Sequence, residues 1–347
     1  MFPGLVVQGI RVRGIGGQLT GYGGNIRLSA DDVSASLAVF PMLDGDGFAQ
    51  GPAARRSRVA LVRTSDRKRG VTEILKLLNP QGISGKRVVL KPNFNTAEDP
   101  PGSTHNDTLA QIVTELHERD ARSITLGESS ARVTREVMET KGIFDLGRDL
   151  RFDIVDYDQN TDKDWVSFPV GNTHWPEGFQ LPRHIVDAEY VVTTPCVKTH
   201  KPLGVYTMSL KLAVGLTPKP IRRPMHQSPD GRRMIAELNT GYKPNLIVMD
   251  GVAVFTDGGP GTGELKVGNV FSGGDDRVAV DAVGLALLKS LGANEAIMSR
   301  GIFEQEQMAR AVELKLGVSG PDAIEIVTAD AESRACADTL RAILAKG

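Results

Sequence analysis

A chain of 347 residues is long enough to bury a full core as one large domain or two ordinary ones. Its charge is balanced, 41 Lys and Arg against 42 Asp and Glu, and only 5% of its residues are aromatic. Both figures speak against a nucleic-acid binder, which needs a basic excess or a stacking platform. Cys196 and Cys336 stand far apart with no C-x-x-C pair, so one chain cannot build a zinc site of ordinary spacing or a four-cysteine iron–sulfur cluster.

Reduced thiols in a cytoplasm are the expectation for these two cysteines, with a single disulfide as the alternative. No apolar run reaches the roughly 18–20 residues that span a bilayer. The opening MFPGLVVQGIRVRG lacks the charged, apolar and small-residue regions of a signal peptide. The expected location is therefore the cytoplasm, with no membrane and no nucleic acid as partner.

In chain order, residues 1–57 read as a glycine-rich, partly ordered β extension with strand-like pieces at 5–7 and 26–28. It ends in the linker-like Gly51-Pro52-Ala53-Ala54-Arg55-Arg56. The cluster Gly14-Ile15-Gly16-Gly17 is no dinucleotide fingerprint, because the third glycine is misplaced and no helix follows. From residue 58 onward strands and helices alternate in one α/β domain, with two lobes as an alternative. Strands are expected at 59–62, 87–90, 124–126, 165–170, 190–194, 246–249, 267–272 and 324–327. Helices are expected at 71–78, 108–117, from about 134, and at 205–216, 278–291, 303–316 and 332–344. Repeated strand–helix units imply a mixed, largely parallel sheet with helices on both faces. Ligands in such sheets sit beyond the carboxyl ends of the strands.

The polar motifs fall at those ends. Lys91-Pro92-Asn93-Phe94-Asn95 follows an apolar strand that Pro92 terminates, so Lys91, Asn93 and Asn95 emerge where an anion would sit. In Pro195-Cys196-Val197-Lys198-Thr199-His200 the period of two puts Lys198 and His200 on one face. A neighbouring cation depresses the imidazole pKa and keeps it neutral, as a base or metal ligand must be. Lys211 is the lone charge in the apolar segment 205–216 and needs a partner, a route to solvent or loss of its proton. Asp281 lies on the apolar face of helix 278–291 and should meet a cation or backbone donor, whereas Asp275 and Asp276 read as helix caps.

Asp250-Gly251 closes a strand, and Gly258-Gly259-Pro260-Gly261-Thr262-Gly263 follows. Its glycines, Gly259 and Gly261 among them, let backbone amides approach an anion. The segment lacks the Gly-Lys-Ser/Thr ending of a phosphate loop, so a lid or tight hairpin is the ordinary reading. Arg222-Arg223 and Arg232-Arg233 flank His226 in what reads as a polar loop, able to clamp an anion or simply to face solvent.

These motifs occur in a fixed order: Lys91-Pro92-Asn93, Gly127-Glu128-Ser129, Pro195 with Lys198-Thr199-His200, Lys211, Asp250-Gly251, Gly259-Pro260 with Gly263, and Gly274-Asp275 with Ala279-Val280-Asp281-Ala282. In that order the chain from about 59 to 317 resembles the domain family of unknown function numbered 362. Many members of that family carry ferredoxin-like cysteine motifs, which this chain lacks, and a lysine where Cys196 stands. The spacing of His200, Gly204 and Lys211 also faintly resembles the histidine–glycine–lysine segment of nickel-pincer lactate racemases.

The resulting expectation is an enzyme that binds a small anionic metabolite in a cleft of Lys and His side chains and carries out proton transfer or isomerisation. His200, Lys198 and Lys211 are its expected catalytic groups, and Lys91, Asn93, Asn95, Gly259 and Gly261 its expected binding groups. Glu128, Asp250 and Asp281 would be supporting acids. The alternative is a non-catalytic binding or accessory protein for an electron-transfer or cofactor-maturation system. Sequence names no metal, no cofactor and no oligomeric state.

Overall fold

The computed structural model describes residues 56–347 apart from Pro202, so the glycine-rich extension expected over 1–57 lies, but for its last two residues, outside the described residues. Strand β1 (Ser57–Arg63) leads to helix α1 (Arg67–Leu78), whose N-terminus is capped by the Asp66 side chain accepting from the backbone of Lys68 and Arg69. The strand–helix unit repeats through β2 (Arg87–Pro92), α2 (Asn106–Glu118), β3 (Ser123–Glu128), α3 (Thr134–Thr140), α4 (Ile143–Leu150) and β4 (Asp153–Asp156). A separate ribbon, β5 (Trp165–Phe168) and β6 (Phe179–Pro182), and a short α5 (Arg183–Val186) precede β7 (Tyr190–Thr194).

The next stretch is β8 (Cys196–His200), β9 (Val205–Thr207), α6 (Ser209–Leu212), α7 (Lys219–Gln227) and α8 (Gly231–Leu238). A long hairpin of β10 (Leu246–Gly258) and β11 (Gly263–Gly274) follows. The chain closes with α9 (Arg277–Ser290), α10 (Glu295–Met298), α11 (Glu306–Glu313), β12 (Ile324–Val327) and α12 (Ala331–Leu344).

The main sheet runs β12-β1-β11-β10-β7-β2-β3-β4, with β8 joined to β10 and β9 to β8. Its centre, from β10 through β7, β2 and β3 to β4, is parallel, and the β1–β11–β10 edge is antiparallel. This is the expected mixed, largely parallel sheet, and helices cover both faces. Alternation along the strands sorts the core. Ala60, Val62, Val88, Leu90, Val192 and Val248 pack with α1 and α2, while Val59, Leu61, Ile247 and Met249 pack with α9 and α12. Val89 and Val191 face a third cluster containing Trp175, Leu216 and Ile235. Each such Val, Leu, Ile or Met side chain, fully removed from water, contributes roughly 1.5–3 kcal/mol.

Three expectations need correction. The segment 205–216 is not one helix: residues 205–207 pair antiparallel with β8, and only Ser209–Leu212 is α-helical before a 3₁₀ turn over Ala213–Leu216. β8 stands beside this segment with open edge groups, and pairing satisfies them better than a helix would. The polar loop expected around His226 is two helices, α7 and α8, and the second buries Met234, Ile235, Ala236 and Leu238. Strands expected at 246–249 and 267–272 are parts of one longer hairpin, whose strands have 13 and 12 residues.

Candidate functional site

The carboxyl ends of β2 and β3 and the extension beyond β7 form one rim. Pro92 closes β2, and Asn93 leaves it with its backbone N–H donating to Thr104 Oγ1 at 2.9 Å. Pro195 removes a ladder donor between β7 and β8. β8 then continues against the far half of β10, with Cys196 opposite Asp250 and Lys198 opposite Phe255. Lys198 and His200, two residues apart on β8, both line a cavity of about 510 Å³.

Six cations line this cavity, Lys91, Lys198, Lys211, Lys219, Arg222 and Arg223, against one carboxylate, Glu128. Glu128 is fully engaged: Oε1 accepts from Lys91 Nζ at 2.7 Å and Ser129 N at 2.8 Å, and Oε2 from Phe94 N at 2.9 Å. The pair survives in the interior because it is short and hydrogen-bonded on both sides. Gly215 makes room for it, since a Cβ there would lie 2.9 Å from both Glu128 Oε1 and Lys91 Nζ.

Lys198, fully buried, donates to the Gly102 carbonyl at 2.6 Å. Lys219 is paired with Asp158, and Arg222 donates to the carbonyls of Ser129 at 3.0 Å and Ser130 at 3.1 Å. Lys211 is 6% exposed, and neither it nor Arg223 has a hydrogen-bond or ion-pair partner among the described residues. Two further polar groups in the lining are poorly satisfied: Thr207 Oγ1 is buried without a partner among the described residues, and Asn93 Nδ2 has at best the weak acceptor of the Cys196 thiol.

Burial, together with this crowding of like charge, shifts the protonation equilibria. Burial, reinforced by the charges of Lys198 and Arg222, pulls Lys211 down to about 7. Burial likewise lowers Lys198 to about 8, against the pull of nearby acidic groups. His200 is lowered to about 2, first by burial and then by the charges of Lys211 and Lys198, so its ring is neutral. Its Nδ1 accepts from Leu203 N at 3.3 Å, which places the ring proton on Nε2 and makes His200 a hydrogen-bond donor. His226, also lining the cavity, has the opposite tautomer: Nδ1 lies 2.6 Å from the Arg222 carbonyl and must donate, leaving the lone pair on Nε2. The two ring centroids are 6.4 Å apart. A neutral donor and a neutral acceptor thus sit side by side among cations.

Of the residues singled out by sequence, the structure brings Lys91, Asn93, Asn95, Glu128, Lys198, His200 and Lys211 to the same cavity. It does not bring Gly259 or Gly261 into the lining. They form the turn of the β10–β11 hairpin, with Gly259 N donating to Thr262 O at 2.7 Å, and their neighbour Pro260 reaches the cavity instead. Gly259 has φ +74°, and a Cβ on it would fall 2.0 Å from the Thr199 carbonyl, so glycine there serves the approach of the hairpin to β8. Asp250 lies outside the lining too, its carboxylate engaged by Arg67 Nε and Thr108 Oγ1, both at 2.9 Å. Asp281 caps α6, accepting from Ser209 N at 2.7 Å and Leu210 N at 2.9 Å. It positions the turn that carries Lys211 rather than acting in the cavity.

Arg222, Arg223 and His226, expected in a loop able to clamp an anion, also line the cavity; what the sequence reading lacked is Lys219 and the three-and-four spacing that puts all four on one face of a helix. Pro220 and Pro224 masked it as a loop, although Pro220 falls in the first turn, where proline is tolerated. A larger open depression of about 1060 Å³ includes Arg58 and Arg277, but these cations already donate to main-chain carbonyls, and it borders the start of the described chain. Among the described residues no three His, Cys, Asp or Glu side chains are grouped to hold a metal ion. No helix among them is long and apolar enough to cross a membrane. Both cysteines are free, so the disulfide alternative is not formed.

Comparison with known proteins adds three findings. A thylakoid-associated protein of Synechocystis sp. is 27% identical over 244 residues, covering 65% of this chain and 72% of its own. The lactate racemase apoprotein of Thermoanaerobacterium thermosaccharolyticum superposes with a TM-score of 0.36 at 12% identity, over 83% of this chain and 86% of its own, a likeness too slight to bear on chemistry. The model of the family described as a domain of unknown function, DUF362, matches residues 88–286, which span β2 to α9 and every residue of the cavity. The chain belongs to the DUF362 family.

Proposed function

We propose that this chain is an enzyme that takes a small anionic metabolite, a carboxylate or a phosphate ester, into the cavity and moves a proton on it. The observation that carries the reading is that, of the six lining cations, only Lys91 and Lys219 have carboxylate partners, while the buried Lys198 and Lys211 meet no carboxylate among the described residues. Buried charge without a counterion is costly, and an anionic guest supplies what the fold leaves out. Asn93 Nδ2 and Thr207 Oγ1 add poorly satisfied polar groups that a guest's oxygens would engage.

Proton transfer suits the two histidines. The Nε2–H of His200 donates to an oxygen on which negative charge develops, and Nε2 of His226 accepts the proton that leaves. His200 is thus better read as the donor than as the base, because an imidazole lowered to about 2 holds a proton too weakly to remove one from carbon. The reading carries the cytoplasm with it, where two unpaired thiols stay reduced.

The test is thermal denaturation with inorganic phosphate and with small carboxylates, at constant ionic strength against chloride, followed by proton NMR of the carboxylates in deuterated water. A ligand at about 100 times its Kd stabilises by about 2.7 kcal/mol. We expect phosphate or a carboxylate to raise Tm in the natural chain and not in Lys211→Met, with protein-dependent deuterium uptake into a bound carboxylate. If no anion stabilises beyond chloride, the reading fails. Stabilisation without exchange would favour the non-catalytic accessory role.

A further inference from the structure

Lys211 and Arg223 differ from the other four cations of the cavity. Lys91, Lys198, Lys219 and Arg222 each have donors committed to carboxylates or carbonyls of the chain. Arg223 is exposed, as expected of a cation that meets a guest's charge on entry, whereas Lys211 is buried. The backbone that leads into Lys211 is held at Ser209 and Leu210. Asp281 binds the amides that open α6, and Asn239 Nδ2 donates to Leu210 O at 2.9 Å. An amine on a turn so anchored, itself without a partner among the described residues, is set up to react with something that enters.

We propose that the anion accepted by this cavity carries an aldehyde or ketone carbon, and that Lys211 bonds to that carbon as an imine. The proposal rests on the anion-binding reading above and names the substrate class within it: short carboxylates bearing a carbonyl, such as 2-oxo acids. The Nζ lone pair forms the C–N bond while the carbonyl π pair moves to oxygen. Nζ releases one proton and the oxygen gains one, giving a carbinolamine. Its hydroxyl departs as water on gaining a second proton, the one that Nζ sheds as C=N forms, so both protons of the neutral amine leave in that water. One water is released per imine, and no oxidant or reductant takes part.

The surroundings suit each step. Burial and neighbouring cations leave a large share of Lys211 as free amine at neutral pH, the activation this nucleophile requires. His200 Nε2–H polarises the carbonyl oxygen, and His226 Nε2 takes the proton shed by nitrogen. Once formed, the imine acidifies the adjacent C–H, which joins the proposal to proton transfer. Lys198 is the less suitable nucleophile, because its Nζ is tied to Gly102 O and stays protonated to about 8.

The experiment incubates the full chain with glyoxylate, pyruvate or 2-oxobutyrate, with and without cyanoborohydride, and locates the reduced adduct by peptide mass spectrometry. Propionate and phosphate, which lack the carbonyl, serve in parallel thermal denaturation as probes of anion binding alone. Each pKa unit of depression raises the free-amine fraction tenfold, so labelling of Lys211 at pH 7 should exceed that of any exposed lysine by more than about tenfold. It should vanish in Lys211→Met and fall when phosphate competes. If carboxylates raise Tm but no 2-oxo acid labels Lys211, the imine is overturned and the anion reading stands. Label on other lysines with Lys211 unmodified overturns it equally. If no anion stabilises and no adduct forms, both fall together.

Discussion

Glu237 on α8 and Lys211 on α6 are both buried ionic side chains, and their neighbourhoods treat them in opposite ways. Glu237 is wholly enclosed, and both oxygens are occupied: Oε1 by Arg310 Nε at 2.9 Å and His174 Nδ1 at 2.6 Å, Oε2 by His174 N at 2.8 Å. That cluster ties the 174 turn and α11 to α8, and nothing in it is left for a guest. Lys211 is nearly as enclosed, yet like charges surround it and no partner among the described residues meets it. The contrast separates two uses of a buried charge. One is complete inside the chain and holds the fold; the other has no partner among the described residues, which the proposed anion would supply.

The largest effect expected from breaking this contrast is on stability at Glu237. Glu237→Ala leaves Arg310 buried without its deepest partner and should cost about 3 kcal/mol in urea denaturation, with anion affinity unchanged. A loss as small as that of an exposed pair would place the cluster among incidental contacts. Lys211→Met should do the reverse, abolishing the anion-dependent rise in Tm while leaving the Tm of the free protein equal or higher, because an unpaired charge is replaced by an apolar chain of similar length. Should Lys211→Met unfold the protein, the side chain serves the fold and the contrast disappears.

Dependence on pH sharpens the comparison. Lys211 and Lys198 titrate in the folded chain near 7 and 8, below the 10.5 of a free lysine. Between those values the unfolded chain holds more protons than the native one, so stability rises with pH through this window and is lost as pH falls through 8 and then 7. The slope approaches on the order of 1 kcal/mol per pH unit for each lysine, and Lys211→Met should remove its share. Asp281 acts in a different window. Burial raises its carboxyl from 3.8 to about 7, so its contribution is full below about 4 and is lost as pH climbs to 7. The smallest effect is expected from Asp281→Asn, which should cost about 1 kcal/mol as a weakened helix cap and reduce anion affinity severalfold by loosening the turn under Lys211.

Much of the fold was legible because alternation is strong where strands are buried on both faces. Residues 190–194 and 324–327 match β7 and β12 from end to end. The site was legible where one motif carries both strand termination and charge, as in Lys91-Pro92-Asn93, and where period two pairs Lys198 with His200. Asp250 and Asp281 could not be placed by the same logic, since a carboxylate at a strand end or on a helix face says nothing about whether a cation or a backbone amide will meet it. The helix that carries Arg222, Arg223 and His226 was hidden for another reason. The apolar side of helix α7 is only Ile221 and Met225, one turn apart, a stripe too short to mark a helix amid its prolines and cations. The short α6 was misread because β9 forms by pairing with β8, a contact that local propensity does not encode.

The most direct measurement is the titration of Lys211 itself, by carbon NMR of lysine labelled at Cε, in the free protein and in saturating phosphate. A resonance that vanishes in Lys211→Met should titrate near 7 in the free protein and move upward when the anion supplies the missing counter-charge. An amine that titrates near 10.5 and ignores phosphate would mean that Lys211 already has its partner, and that the cavity was never waiting for one.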